Sequence, residues 1–306
     1  MGFVRLRRSS WWLLTGAGAA VGAALYLVVG GSLGNAEEKS PRAKAPTTQL
    51  SVPARFAVEP PPADEQQLRA KFRAEQIALL EKLNRADQVH LVRLPEIVVP
   101  GRWDLDELGY SPLPAIWQDA AGSPKTLALS QPFQVFGAYE NGKLVRWGPV
   151  SSGRKSKPTP PGLFYLNWKS RGRKSTVDGG WFLRWYFNFI NERGISFHEF
   201  DLPGQPESHG CVRLLSRDAQ WIYEWGEQWK LDSTGWKVER QGTPVLILGK
   251  YDYGKPAPWR SAEYLASDRP VPLDATSIPE AQLTKLRQGA MTVSTPKSAP
   301  EIVAGP

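Results

Sequence analysis

The sequence predicts a mainly β domain with one or two helices, preceded by a helix and a membrane-targeting segment. Three observations carry this. Between Trp103 and Leu248, short runs rich in apolar and aromatic residues alternate with Gly, Pro and Asn-Gly turn signals. Only Asp64–Gln88 and Arg217–Lys230 hold apolar residues at helical spacing over three turns or more. Trp11–Leu33 contains no charged residue and follows Arg5, Arg7 and Arg8. The composition agrees: 28 Gly, 27 Pro and 13 Trp in 306 residues favour short strands and turns over a helical bundle. That length suits one or two domains with extra segments.

Taken in order, residues 1–36 read as a signal peptide or membrane anchor. The apolar stretch is long enough, at about 1.5 Å per helical residue, to span a bilayer. Cleavage after Ala36 and retention as an anchor fit it equally, and in both the remainder of the chain faces outward. Residues 37–63, polar and rich in Pro and Ala, read as a linker. Residues 64–102 hold a helix and connector. Leu68, Phe72, Leu79 and Leu83 share a face, and Asp64 is its N-cap. In residues 103–255, Phe133–Tyr139 and Leu144–Val150 flank Asn141-Gly142, the signal of a type I′ hairpin. Strands follow at Leu163–Trp168, Trp181–Ile190, Ile195–Phe200 and Thr243–Leu248, with the helix Arg217–Lys230 capped by Ser216. Residues 256–306 return to Pro, Ala and Ser and read as a mostly disordered tail, with a weak helical patch at Pro279–Arg287.

The net charge is +8, without a Lys/Arg run of the kind that binds nucleic acid. A basic exported protein suits an anionic cell envelope. Cys211 is the one cysteine, so it is a free thiol with no internal disulfide partner. Two of the three histidines lie near it: His198 on a predicted strand, and His209 in Ser208-His209-Gly210-Cys211-Val212-Arg213. A thiol with an ordinary pKa of about 8.5 is mostly protonated at neutral pH, and an imidazole within reach can remove that proton and return it to a leaving amine. Amide N–H groups around Gly210 and Cys211 are placed to bind a developing oxyanion. Too few ligands stand near one Cys and two His for a zinc site. From spacing alone, either histidine can serve as the base.

This string, with His198 upstream, resembles the signature of the L,D-transpeptidase catalytic domain, the YkuD family. Val150-Ser151-Ser152-Gly153 and Thr159-Pro160-Pro161-Gly162-Leu163-Phe164 resemble further segments of that family, and together these cover about residues 126–250. The resemblance implies an L,D-transpeptidase-like β-sandwich or barrel without cofactor or metal, acting on peptidoglycan stem peptides at the periplasmic or outer face of the cytoplasmic membrane. It implies Cys211 as nucleophile, His198 as general base and His209 as an orienting group. Ser208 and Gly210 would shape the loop, and Arg213 would meet a stem-peptide carboxylate. Two features depart from the pattern: the segment between His198 and Ser208 is short, and Glu199 follows His198 where Gly or Ser is common.

The implied reaction is transpeptidation through a thioester, with an amine of a neighbouring stem or of a wall-attached protein as acceptor. Hydrolysis as a carboxypeptidase or amidase uses the same residues, and a non-catalytic wall-binding protein is the alternative of another class. Trp221, Trp225 and Trp229 recur at helical spacing and read as a packed face. Trp181, Trp185 and Phe187 fit either core or substrate groove. Lys169–Lys174 reads as a solvated basic loop, and His90 as structural.

Overall fold

The computed structural model describes residues 56–104, 106–267 and 270–289. The predicted export segment, all but the end of the predicted linker and residues 290–306 lie outside them. Among the described residues, no helix is long and apolar enough to cross a membrane.

The chain begins with β1 (Phe56–Glu59), α1 (Glu65–Lys71), α2 (Ala74–Asn84), α3 (Gln88–Leu91) and β2 (Ile97–Pro100). β1 pairs antiparallel with β2, so the last residues of the predicted linker are ordered strand. The single helix predicted over Asp64–Gln88 is broken twice. Phe72 turns extended, and Arg85 closes α2 in the left-handed conformation. Asp64 caps α1 through its side chain, as expected. Leu68, Ile77, Leu80, Leu91, Ile97 and Val99 close a small core of their own, while Leu79 and Leu83 on another face of α2 reach Val135 and Trp147 of the main sheet.

The following segment contributes β3 (Thr126–Ser130), β4 (Val135–Glu140), β5 (Lys143–Ser151), β6 (Gly162–Tyr165), β7 (Lys169–Lys174), β8 (Phe182–Ile190), β9 (Ile195–Glu199), β10 (Val212–Leu214) and α4 (Ser216–Trp225). β11 (Lys230–Leu231), β12 (Val238–Arg240) and β13 (Pro244–Leu248) complete it. β11 and β12 pair only with each other; the rest form one nine-stranded sheet in the order β6-β13-β3-β4-β5-β10-β9-β8-β7. Of the expected sandwich or barrel, the sheet takes the barrel-like form: one mixed sheet curls over its own core. Phe164 at one end meets Phe189 near the other, with ring centroids 5.9 Å apart. Residues from both halves, including Leu127, Phe136, Phe187, Phe197 and Val245, share one buried cluster. Closing the sheet this way removes apolar surface from water without a second sheet. The hairpin turn is as predicted, with φ of 49° at Asn141 and 77° at Gly142.

The predicted basic loop over 169–174 is instead the edge strand β7, paired with β8. Its first lysine explains why. Lys169 lays its stem over Phe187 and Tyr223 and donates to the Tyr223 carbonyl at 2.6 Å, so a charged residue still buries apolar length. Trp221 and Trp225 stack at 5.0 Å on α4, while Trp229 lies beyond the helix.

The predicted disordered tail is a further correction over its described part. The turn Pro258–Arg260 buries Trp259 completely. The buried Arg85 guanidinium stacks on that indole at 5.0 Å. α5 (Ala262–Leu265) and α6 (Glu280–Arg287) follow, and Ile278, Leu283 and Leu286 pack against Trp117, Tyr139, Leu246 and Leu248. A few well-spaced apolar residues suffice to dock a segment whose average composition is polar.

Candidate active site

Strands β9 and β10 run parallel, with Phe197 opposite Val212 and His198 opposite Arg213. Side chains alternate along a strand, and directly opposed residues of a parallel pair share a face. Ile195, Phe197, Val212 and Leu214 therefore point into the core, where all four are buried. Ser196, His198, Cys211 and Arg213 fall on the opposite face. The contact between Ser196 and Cys211 confirms the register: the hydroxyl of Ser196 lies 3.6 Å from Cys211 Sγ. The thiol in turn faces the Gly194 carbonyl at 3.8 Å.

Between the two strands, the loop 200–211 is fastened from three sides. Ser208 bridges to Gly153, with Ser208 N–H donating to the Ser152 carbonyl and Arg154 N–H to the Ser208 carbonyl. Ser151 Oγ donates to the Gln205 carbonyl at 2.7 Å and accepts from Glu207 N–H at 3.0 Å. Thr159 Oγ1 donates to the Gly210 carbonyl at 2.8 Å and accepts from Gly153 N–H at 2.9 Å. The small and hydroxylic residues singled out in 150–164 thus act as ties for the cysteine loop. On the third side, Ala86 bridges to Pro203, Asp87 N–H donates to the Leu202 carbonyl and Leu202 N–H donates to Asp87 Oδ2 at 2.8 Å.

Gly210 has φ of +116°, a conformation that side-chain-bearing residues rarely adopt, and it breaks the strand alternation just before Cys211. Its N–H donates to Ser208 Oγ at 3.0 Å, and Ser208 Oγ donates to the Cys211 carbonyl. The Gly210 amide is therefore engaged inside the loop, contrary to the expectation that it faces an oxyanion.

His198 is 4% exposed, and its Nδ1 lies 2.9 Å from the Glu199 carbonyl. A carbonyl only accepts, so Nδ1 carries the proton and Nε2 keeps its lone pair. Burial pulls the His198 pKa down to about 4, with nearby Arg213 acting the same way against the Glu199 carbonyl. Burial also pushes the Cys211 thiol up; the Ser196 contacts and the charges of Arg213 and Arg173 oppose this without cancelling it. Both shifts favour a neutral thiol and a neutral imidazole at rest. His209 stacks obliquely on Trp181 at 5.5 Å, and its Nδ1 is buried with no hydrogen-bond partner. Burial lowers its pKa, helped by Arg154, Arg213 and Lys157.

Cys211, His198, His209, Ser208 and Arg213 all line one cavity of about 150 Å³, with Trp181 on its wall. Phe187 instead lies in the core, and Trp185 packs against that core and Tyr223, which divides the aromatic trio between groove and interior. Two residues escaped the sequence reading. Ser196 is fully buried beside the sulfur, and its position two residues before His198 was the available signal. Asp87, in the helical segment, had no local signal at all. His90 is paired with Asp87 at 2.8 Å, outside this cavity. Among the described residues, no group of three or more His, Cys, Asp or Glu side chains converges as a metal centre.

Comparison with known families matches residues 127–247 to the L,D-transpeptidase catalytic domain, YkuD. Residues 127–247 are an L,D-transpeptidase catalytic domain of the YkuD family. It is similar to a solved L,D-transpeptidase from Stackebrandtia nassauensis, with 26% identity over 42% of this chain and 57% of that one and a TM-score of 0.34. An L,D-transpeptidase from Mycobacterium smegmatis is 18% identical over 42% of this chain and 60% of its own, with a TM-score of 0.33. L,D-transpeptidase 3 from Mycobacterium tuberculosis is 22% identical over 42% and 62%, also with a TM-score of 0.33. The chain thus covers less than two thirds of the length of these L,D-transpeptidases. No curated protein matches it.

Proposed function

We propose that this protein is an envelope L,D-transpeptidase that acts on peptidoglycan stem peptides through a thioester on Cys211. The observation that carries the reading is the placement of Cys211 and His198 on one face of the paired strands β9 and β10, with the imidazole's Nδ1 engaged and its Nε2 left as the base. As Cys211 Sγ attacks the carbonyl carbon of the stem amide, its proton passes to His198 Nε2. Collapse of the tetrahedral intermediate breaks the C–N bond, and His198 Nε2–H protonates the departing amine of the terminal D-residue. An acceptor amine then attacks the thioester and gives its proton to Nε2, and the sulfur leaves as the thiol after taking that proton back.

Because Gly210 N–H is held by Ser208, the oxyanion donor in this scheme is the Cys211 amide. Ser208 and Gly210 set the loop that presents it. His209, wedged against Trp181, orients the wall of the cavity, and Arg213 receives a substrate carboxylate. The N-terminal segment delivers the domain to the outer face of the cytoplasmic membrane, by a cleaved signal or as an anchor. Incubating the purified protein with a defined tetrapeptide muropeptide and resolving the products by mass tests the reaction. Cross-linked dimers plus free D-residue are expected. A tripeptide product with no dimer would assign hydrolysis instead.

A further inference from the structure

Two half-buried cations elsewhere in this protein are matched by carboxylates, Arg146 with Asp218 at 2.7 Å and Arg217 with Glu81 at 2.6 Å, while Arg85 and Lys169 donate their N–H groups to backbone carbonyls. The cavity at Cys211 is different. Arg173, Lys174, Arg193 and Arg213 line it, and no Asp or Glu does. These cations come from three separate places in the chain: β7, the turn after β8, and β10. Among the described residues, none of the four is ion-paired. Asp201 and Glu207 attract Arg213 only from beyond ion-pairing distance.

Two of these groups are held in a set orientation. The Arg213 guanidinium lies over Phe200, 4.6 Å from the ring centroid. The Arg173 guanidinium lies over both Trp168 and Tyr186, at 5.2 Å and 5.0 Å. Stacking uses the flat face of a guanidinium and leaves its N–H edges to donate, which is the arrangement that recognises a carboxylate in bidentate fashion. Both guanidinium groups line the same cavity as the Cys211 sulfur, which places them within reach of whatever peptide the thiol attacks.

We propose that the cavity selects donor peptides carrying at least two free carboxylates, one met by Arg213 and one by Arg173, and discriminates against stems in which those carboxylates are amidated. This deepens the reading of Cys211 as the nucleophile on stem peptides and rests on it. A carboxamide keeps the shape of a carboxylate but loses the charge, and its N–H₂ end faces donors instead of matching them. Lys174 and Arg193 add attraction that salt screens. The stacked pair supplies the geometric selection.

The test uses the full-length protein and two tetrapeptide stems, identical except that the side carboxylates are free in one and amidated in the other. The kcat/KM of the parent is expected to be at least tenfold higher for the free-acid stem. Arg173→Gln should bring the two values to within about threefold, and Arg173→Lys, which keeps the charge without the fork, should fall between. Circular dichroism melts identify any variant that fails to fold. Binding of both stems to Cys211→Ala by calorimetry reads the preference without turnover, again at least tenfold in Kd. Equal kcat/KM and equal Kd for the two stems would overturn the inference while leaving the transpeptidase reading intact. A preference that survives unchanged in Arg173→Gln would remove Arg173 from it. Turnover of neither stem, with tighter binding of the free acid still present, would overturn the reaction and leave the selectivity standing.

Discussion

At the scale of single residues, burial sets two protons, one on His198 and one on Cys211. His198 takes up a proton near pH 6.5 when unfolded and only near 4 when folded. Between those values the unfolded state binds more protons, so stability present above about pH 6.5 is lost as pH falls toward 4. The full loss is about 3 kcal/mol, from roughly 1.4 kcal/mol per pKa unit. His198→Gln lacks this titration, so the parent should lose more Tm than the variant between pH 7 and pH 4.5; parallel Tm curves would contradict the assignment. Ser196 acts on the other proton. Its hydroxyl is fully buried, and Cys211 Sγ is the one hydrogen-bond partner found for it among the described residues. Donation to the ionised sulfur is worth about 1 kcal/mol, so Ser196→Ala should slow alkylation of Cys211 by iodoacetamide about fivefold at pH 7.5. The pH profile should move to higher pH, an effect that a purely structural role for Ser196 would not produce. The strand signal over Ile195–Phe200 made His198 and the proposed site readable in the sequence, but the sulfur's nearest hydroxyl needed the parallel register of β9 and β10 to be seen.

At the scale of elements, the short connection between His198 and Cys211 is held by something outside the catalytic segment. Asp87 caps α3 through His90 N–H at 3.0 Å and accepts from Leu202 N–H at 2.8 Å, and the Arg85 carbonyl accepts from Gly204 N–H at 3.1 Å. The helical region thus lends backbone and side-chain partners to residues 202–204. Asp87→Ala should release amide-exchange protection at Leu202 and Gly204 while leaving the central strand residue Leu246 protected. It should cost about 2 kcal/mol of stability, the scale of hydrogen bonds to a charged group. Unchanged exchange at Leu202 would show that the loop holds itself. Local signals such as the Asn141-Gly142 turn and the Asp64 cap were legible because neighbours in sequence determine them. The breaks at Phe72 and Arg85, the ordering of β7 and the docking of 258–287 were not, because partners far along the chain impose them. Trp259 is buried by Arg85, and Leu283 and Leu286 by the far face of the sheet.

At the scale of the molecule, one curled sheet keeps its apolar residues inside and sets a basic cavity along β9, where a parallel crossover returns the chain to β10 and puts the thiol beside Ser196 and Gly194. The net charge of +8 is thus spread unevenly in function: several cations are matched by carboxylates, while those around Cys211 are left open to a ligand. The proposed reaction makes one central claim, that the stem-peptide acyl group resides on Cys211 during turnover. Intact-protein mass spectrometry of the full-length protein, quenched in acid during reaction with a tetrapeptide stem, tests it most directly. A mass increase equal to the stem without its terminal D-residue is predicted, mapping to the peptide that contains Cys211 and missing in Cys211→Ala. Turnover continuing at the parent's rate in Cys211→Ala, with no such adduct in either protein, would contradict it.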